Sequence, residues 1–255
     1  MSEIKLSIII VKYHSEKYLQ SCLASINKNS TYEIIIIDND KDNVGYGGGC
    51  NKGAKLAKGK YLFFLNPDVL LFPNTIEILL KFIDAEEDVA IVAPLLFDEK
   101  KVPYPLQGNL ELTPLVAIAT FSFIHKYFPN NPFSFRYWLK DWDKIAIKEV
   151  EMVPGGTLLI RKQVFDRVGG FDNHFFLYFE ETDLCHRVKK LGWRIFINPQ
   201  AKAIHYWAKS TPDNNNTKRI FRQSRFYYFR KHWGIVPAVL VETFLRSSEW
   251  LAEKI

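Results

Sequence analysis

The stretch YLFFLNPDVLLF, Tyr61 to Phe72, sets two apolar runs on either side of Asn66, Pro67 and Asp68. An unbroken β-branched and aromatic run of this kind reads as a strand buried on both faces. Pro67 has no N–H to give to a ladder and so ends the strand. Asp68 then lies where a buried strand emerges. A buried, unpaired carboxylate costs several kcal/mol, roughly, unless a cation or dense hydrogen bonding compensates it. Asp68 is therefore either a loop cap, as Asx residues in turns often are, or a ligand for something positive.

Three more runs like it punctuate the first hundred residues: LSIIIV, EIIIID and VAIVAP. Segments with helical spacing lie between them. Leu19, Leu23 and Ile26 share one face of Glu16–Lys28, and Ile76, Leu79, Leu80 and Ile83 share one face of Asn74–Asp84. Strand–helix–strand alternation predicts right-handed crossovers and a largely parallel sheet. Ligands of such sheets bind at the carboxyl ends of the strands. Asp38 ends the second run and Asp68 follows the third, so both acids fall on that edge.

Leu95–Lys148 is less regular and rich in Pro and aromatics, and reads as loops and short helices forming a lid or an acceptor-facing surface. Beyond it the spacing predicts a strand over Thr157–Arg161, a helix over Glu181–Lys190, and strands near Arg194–Ile197 and Ala203–Tyr206. A basic, aromatic helix over about Thr217–Lys231 and an amphipathic tail to Ile255 follow.

With 255 residues, 47% of them hydrophobic, the chain can bury roughly three quarters of its unfolded surface. That suits one large domain or one domain with an appendage. Cys22, Cys50 and Cys185 are far apart and form no C-x-x-C pair, which argues against a disulfide framework or a structural zinc. The apolar run Leu6–Val11 is too short for a signal segment, and no run approaches the ~20 residues of a membrane helix. The expectation is a chain made and kept in the cytoplasm. A net charge of +6 favours anionic partners.

Two segments carry candidate chemistry. DNVGYGGGCNKG, Asp42 to Gly53, places five glycines between a strand and a helix. Read as a loop, it brings backbone N–H groups close to a ligand at a helix N-terminus. It is neither G-x-G-x-x-G after the first strand nor G-K-[ST], which excludes the dinucleotide and P-loop readings. FFLYFEETDLCHRVKKLG sets Glu180, Glu181 and Asp183 at a helix start, behind an apolar wall. First-turn acids complement the helix dipole, and Asp183 with Arg187 has the spacing of a surface pair. The apolar wall also raises a carboxylate pKa, which suits a general base.

Taken in order, SIIIVKYHSEKYLQSCLASI, IIIIDND, NVGYGGGCNKG, FLNPDV, GGTLLIRKQVFDRVGGFD, FFLYFEETDLCHRVKKLG and AIHYWAKST resemble the motifs of family 2 glycosyltransferases, in the rhamnosyltransferase-like branch that builds bacterial surface polysaccharides. The resemblance covers about residues 5–211. It implies an α/β fold of the GT-A kind: a Rossmann-like, mostly parallel central sheet flanked by helices, with a C-terminal helical extension. The implied division is a transferase domain over 1–211, donor-binding to about 100 and acceptor-binding beyond, and an extension over 212–255.

The resemblance further implies inversion at the anomeric carbon, with Mg²⁺ or Mn²⁺ as cofactor. The implied donor is a dTDP- or UDP-sugar, dTDP-rhamnose first, and the acceptor a saccharide or a polyprenyl-pyrophosphate-linked saccharide. Asp38 would contact the nucleoside, Asn43, Gly45, Gly48 and Asn51 would line the donor pocket, and Gly155 and Gly156 would lie near the sugar. Asn66 and Asp68 take the D-x-D position, with Asp68 and His205 on the metal. Glu181 is the implied base and Asp183 its support. Three departures stand out: Lys12 and His14 replace asparagines common after the first strand, Asn66 replaces the first acid of D-x-D, and Glu181 replaces an aspartate.

The basic helix, with Lys218, Arg219, Arg222, Arg225, Arg230, Lys231 and His232, reads either as a solvated face over core aromatics or as a contact for a lipid pyrophosphate or anionic headgroups on the inner face of the membrane. Nucleic acid is not expected, since no RRM, KH or helix-turn-helix signature accompanies it. Two other functions share some of these features. A sugar nucleotidyltransferase would carry a Gly-rich basic loop where this chain has VKYHSEKYL. A non-catalytic partner of another transferase would bind a donor without transferring it.

Overall fold

The computed structural model describes residues 3–206 and 215–253. The boundary expected at 211/212, and the end of the AIHYWAKST motif from 207 on, lie outside the described residues. In chain order the elements are β1 (Leu6–Lys12), α1 (Glu16–Ala24), β2 (Tyr32–Asp38), α2 (Gly45–Leu56), β3 (Tyr61–Leu65), β4 (Val69–Leu71), α3 (Thr75–Ala85) and β5 (Val89–Phe97). Then come α4 (Pro114–Phe121), α5 (Phe123–Tyr127), α6 (Pro132–Tyr137), β6 (Lys148–Val150), β7 (Thr157–Arg161) and α7 (Lys162–Arg167). The chain continues with α8 (Glu180–Lys190), β8 (Arg194–His205), α9 (Asn215–Trp233) and α10 (Ile235–Glu253).

The strands form one eight-stranded sheet in the order β2-β1-β3-β7-β5-β8-β4, with β6 also on β8. The expected parallel pairing holds for β1 with β2 and β3, and for β5 with β8. By contrast, β4, β6 and β7 enter antiparallel, so the sheet is mixed rather than mostly parallel. The two strands expected over 194–206 are one, β8, running through Pro199 with a register shift against β5.

The NPD break explains the shape of the sheet. β3 and β4 stand four strand positions apart, which in a flat sheet is about 19 Å. Asn66, Pro67 and Asp68 join them, and that link reaches about 14 Å at most. The sheet must therefore curl until β4, on β8, comes round beside the end of β3.

Side chains alternate across this sheet as the strand period requires. Ile9, Val11, Phe64, Leu158 and Ile160 pack on one face with α2, α7 and α8. Leu6, Ile8, Ile10, Phe63 and Leu65 pack on the other with α1 and α3. β2 departs from the fully covered strand its sequence suggests: at the sheet edge, it leaves Ile34 and Ile36 exposed. A third cluster, mostly aromatic, joins α4, α6, α9 and α10 to Phe175 and Phe179 just before α8.

The glycine-rich segment is a correction. It is not a loop ahead of a helix: α2 begins at Gly45 and takes in all five glycines. Their absent side chains let the helix lie against β1, where a Cβ at Gly49 would come 2.6 Å from Val11 and one at Gly53 2.4 Å from Ile9. Gly45 has φ +78° and sits under the Phe176 carbonyl, a place no side chain fits.

Candidate active site

At the carboxyl end of β3 the chain turns through residues tied to both neighbours. The Asn66 N–H donates to the Gly156 carbonyl at 2.8 Å, and the Tyr206 N–H donates to the Asp68 carbonyl at 3.0 Å. Val69 is the register partner of His205, so the β4–β8 ladder carries Asp68 to the histidine. Asp68 Oδ1 lies 3.4 Å from His205 Nε2, and both side chains are buried. Gly156 keeps the space beside them open: a Cβ there would stand 2.7 Å from Asn66 Nδ2 and 3.4 Å from His205 Cε1.

This donor set, a carboxylate and an imidazole, fits a small divalent cation that a substrate's phosphates also hold. Such ions keep several waters and bind through one or two protein groups plus substrate phosphates, not through an all-protein cage. Among the described residues no group of three or more His, Cys, Asp or Glu could hold a metal ion. A carboxylate beside an imidazole is thus what the protein itself offers.

Across Gly155 from this pair stands α8. A Cβ on Gly155 would come 3.0 Å from Glu181 Cβ, while the Gly155 carbonyl accepts from the Tyr46 hydroxyl at 2.9 Å. The residues leading into α8 are strained: Tyr178 and Phe179 both hold positive φ, at 67° and 68°. Non-glycine residues reach that region at a cost and persist there when packing over-determines them. Here α9 does so. Ser224 Oγ donates to the Leu177 carbonyl at 2.9 Å, and Phe221 and Tyr228 pack on the two aromatic rings.

The three acids of α8 have different environments. Burial pushes Glu180 well above the ordinary carboxyl range, and the charge of Glu181 pushes it further. Its Oε2 has no hydrogen-bond partner, and only its own backbone N–H opposes that push toward the neutral form. Burial also raises Glu181, though its backbone neighbours partly offset this and it keeps some solvent access. Asp183 is wholly buried, not the surface partner its spacing suggests. Burial alone would raise its pKa, but hydrogen bonding from His232, the charge of Arg187 and hydrogen bonding from Lys231 hold it below the ordinary range. His232 Nε2 and Arg187 Nε are each 2.8 Å from it, and Lys231 Nζ is 2.6 Å away. Held by Arg187, Lys231 and His232, Asp183 is a joint between α8 and α9.

The structure thus brings Asn66, Asp68, Gly155, Gly156, Glu181 and His205 together and leaves other expected residues elsewhere. Asp38 is exposed at the end of β2 and accepts from the Asp40 N–H at 3.0 Å. Asn43 Oδ1 accepts from the Gly45 N–H at 2.9 Å and from Asn39 Nδ2 at 3.1 Å, which shapes the turn into α2. Gly48 and Asn51 lie within α2. Asn51 donates to the Phe171 carbonyl at 2.8 Å and accepts from its N–H at 2.9 Å, a latch between α2 and the segment before α8.

Lys12, which departs from the family pattern, is clamped by Asp40 at 2.5 Å and Glu16 at 2.8 Å. Sequence reasoning missed Tyr46, hidden among the glycines, and Tyr137, whose buried phenol is raised by desolvation and by the nearby charge of Glu181.

The basic helix is also corrected. Arg222 and Arg225 do not face solvent together: Arg225 makes a two-pronged, buried pair with Glu242 at 2.9 and 3.0 Å. Arg222 meets Glu249 at 2.5 Å, and both acids come from α10. These charges join the two helices.

The family model described as Glycosyl transferase family 2 matches residues 40–169, just over half of the chain, and one described as the N-terminal domain of galactosyltransferase matches 147–209. An N-acetylglucosaminyl-diphospho-decaprenol L-rhamnosyltransferase of Mycobacterium tuberculosis (strain CDC 1551 / Oshkosh) is 28% identical over 180 residues, 66% of this chain and 58% of that protein. The chain therefore spans under two thirds of that relative. Rhamnosyltransferase WbbL of Escherichia coli (strain K12) is 25% identical over 229 residues, 78% of this chain and 82% of that protein.

In fold, GalNAc-T7 with UDP, GalNAc and Mn2+ is similar at a TM-score of 0.61 and 15% identity, over 99% of this chain and 56% of that one. The mannosyltransferase PcManGT from Pyrobaculum calidifontis, in complex with GDP-Man and Mn2+, is similar at a TM-score of 0.53 and 12% identity, over 93% of this chain and 73% of that one. The fold implied by the sequence resemblance, GT-A, is the one the chain has.

Proposed function

The chain belongs to glycosyl transferase family 2, and from that membership we propose that it moves a sugar, with inversion, from a nucleoside diphosphate donor to an acceptor hydroxyl. The carrying observation is the pair of adjacent glycines between two reactive groups. Gly155 abuts the carboxyl of Glu181, and Gly156 abuts Asn66 and His205 beside Asp68. A diphosphate and a sugar need that arrangement: a charge-binding pair on one side, a base on the other, and no side chain between.

Asp68 and His205 would hold Mg²⁺ or Mn²⁺. Bound there, the ion supplies neutralising charge to the departing diphosphate, the kind of electrostatic stabilisation that dominates such reactions. Glu181 takes the proton from the acceptor hydroxyl as its oxygen attacks the anomeric carbon. Burial suits it to that task, since a raised pKa brings a carboxylate nearer the operating pH. Glu180 lies buried behind it, its carboxyl pushed toward the neutral form. Asp183 positions α8 through Arg187, Lys231 and His232. Asp38, at the end of β2, would contact the nucleoside, and Asn43, in the turn into α2, would line the donor pocket, as the resemblance implies.

The names of the similar rhamnosyltransferases support rhamnose as the transferred sugar, and dTDP-rhamnose is the donor that the sequence resemblance implies. The diphospho-decaprenol in one relative's name supports a lipid-linked saccharide acceptor and work at a membrane surface. No helix among the described residues is long and apolar enough to cross a membrane.

The test is metal-dependent thermal stabilisation by dTDP-rhamnose and a panel of UDP- and GDP-sugars, followed by transfer assays with the best binder. A ligand at 100 times its Kd stabilises by about 2.7 kcal/mol, a clear shift in melting temperature. Stabilisation that needs Mg²⁺ or Mn²⁺ and is lost in Asp68→Ala is the expected result. A panel with no metal-dependent binder would overturn the reading.

A further inference from the structure

The helices α4, α5, α6 and α10 present a surface that the transfer chemistry does not use. Tyr127 and Phe128 are 68% and 67% exposed, and Leu115, Phe121, Phe133 and Phe135 are exposed around them. α10 adds Val236, Leu240, Phe244 and Leu251 along its outer side. The two parts are one surface: the Phe123 ring stacks on Phe244 at 6.4 Å, and the Phe123 N–H donates to Ser248 Oγ at 2.9 Å. Contiguous exposed apolar surface of this extent marks an interaction site.

Its charge identifies the partner. From Leu112 to Lys140 the chain has no Asp or Glu, but it has Lys126, Arg136 and Lys140, all exposed. Two α10 acids, Glu242 and Glu249, are paired with Arg225 and Arg222 of α9, and Arg246 is paired with Glu242 as well. Aromatics interleaved with cations of one sign match the boundary between anionic headgroups and acyl chains. They match a second copy poorly, because a two-fold interface sets a patch against itself and would bring these cations together. A protein partner would call for alternating signs to fix register.

We propose that the surface formed by α4, α5, α6 and α10 docks on an anionic lipid bilayer, with Tyr127 and Phe128 entering the headgroup region and Lys126, Arg136 and Lys140 facing the phosphates. This replaces α9 as the membrane contact, since its Arg222 and Arg225 are committed internally. Tyr137 at the end of α6 is buried in the same cluster as Phe179, which stands just before α8 and Glu181. Docking would therefore hold the base near a lipid-borne hydroxyl. That benefit rests on the transferase reading; the docking itself does not.

The experiment is co-sedimentation of the full chain with vesicles of phosphatidylglycerol and phosphatidylcholine, or of phosphatidylcholine alone, without donor or metal. Because no sugar is present, a failure of the transferase reading leaves this result unaffected. The chain should pellet with anionic vesicles, less so as salt rises, and more weakly with neutral ones. Tyr127→Ser/Phe128→Ser and Lys126→Glu/Arg136→Glu should each weaken binding by at least about tenfold, with melting temperatures near that of the parent. Leu56→Ser, which removes an exposed leucine from α2, should bind as the parent does. The proposal is overturned if the parent stays in the supernatant with anionic vesicles, or if both double variants pellet as it does. It is equally overturned if those variants dissolve a dimer, seen by light scattering, that itself ignores vesicles.

Discussion

Gly155 lies so close to Glu181 that a Cβ on the glycine would stand 3.0 Å from Glu181 Cβ and 3.4 Å from its carboxyl carbon. Contacts that tight force the neighbour to give by a few tenths of an ångström, and the flexible glutamate gives more readily than the backbone. Gly155→Ala should therefore displace Glu181, the proposed base, while leaving the fold in place. Since misplacement by 1 Å can cost about 10²-fold, a smaller shift should lower kcat by roughly tenfold, with donor KM and melting temperature nearly unchanged. A parent-like kcat would mean that Glu181 does not act from this position.

Glu181→Gln keeps shape and removes the proton acceptor. General base catalysis contributes about 10²–10⁴-fold, and turnover should fall by that much with donor affinity retained. Burial raises the Glu181 pKa above its ordinary 4.5, and a base works deprotonated, so the parent rate should climb with pH through that raised value. In the variant that acidic limb should vanish. Asp183→Asn should behave differently. It leaves Arg187, Lys231 and His232 facing a neutral group in a buried place, at about 3 kcal/mol of stability. A folded but inactive Asp183→Asn beside an active Glu181→Gln would reverse the two roles.

Asp68→Ala removes the carboxylate from the pair with His205. Manganese-dependent stabilisation by donor should disappear, while the melting temperature without metal changes little. His205→Ala should weaken the metal dependence and retain some of it, because the carboxylate supplies the charge. Calorimetric titration of Mn²⁺ in the presence of the nucleoside diphosphate reads both. Near-parent binding in Asp68→Ala would remove the metal from this site.

What the sequence made legible follows a physical rule. β3 and β7 match their predicted spans residue for residue, because buried central strands are written as short apolar runs. Asp68 was legible for the same reason, since a break in such a run has to be functional or a turn. The course of β4 was not, because nothing in three residues says that β8 will be its partner. α2 was misread because glycine is penalised in helices by its backbone entropy, yet here close packing on Val11 and Ile9 outweighs that propensity. Arg222 and Arg225 read as a solvated stripe because Glu242 and Glu249, which complete them, belong to a different helix. Local spacing records faces; it does not record what they meet.

His186, on α8, carries the last prediction. Its Nδ1 lies 3.0 Å from Glu111 Oε1, and its ring centre lies 4.1 Å from that of His232. Burial first, then the charges of His232 and Lys190, push its pKa from 6.5 down to about 4, with Asp183 opposing and Lys231 adding to the fall. The sign follows from proton counting. Between those two values the unfolded chain binds a proton that the folded chain refuses, so stability rises with pH across this window. It is fully present above 6.5 and drains away as pH falls toward 4. The ring borders a cavity of about 180 Å³ shared with Glu111, Lys189 and Tyr228, so water softens the effect to on the order of 1 kcal/mol by pH 5. In His186→Gln the loss of melting temperature between pH 7 and pH 5 should shrink by a few degrees. An unchanged slope would mean that His186 titrates alike in both states, and that acid sensitivity arises elsewhere.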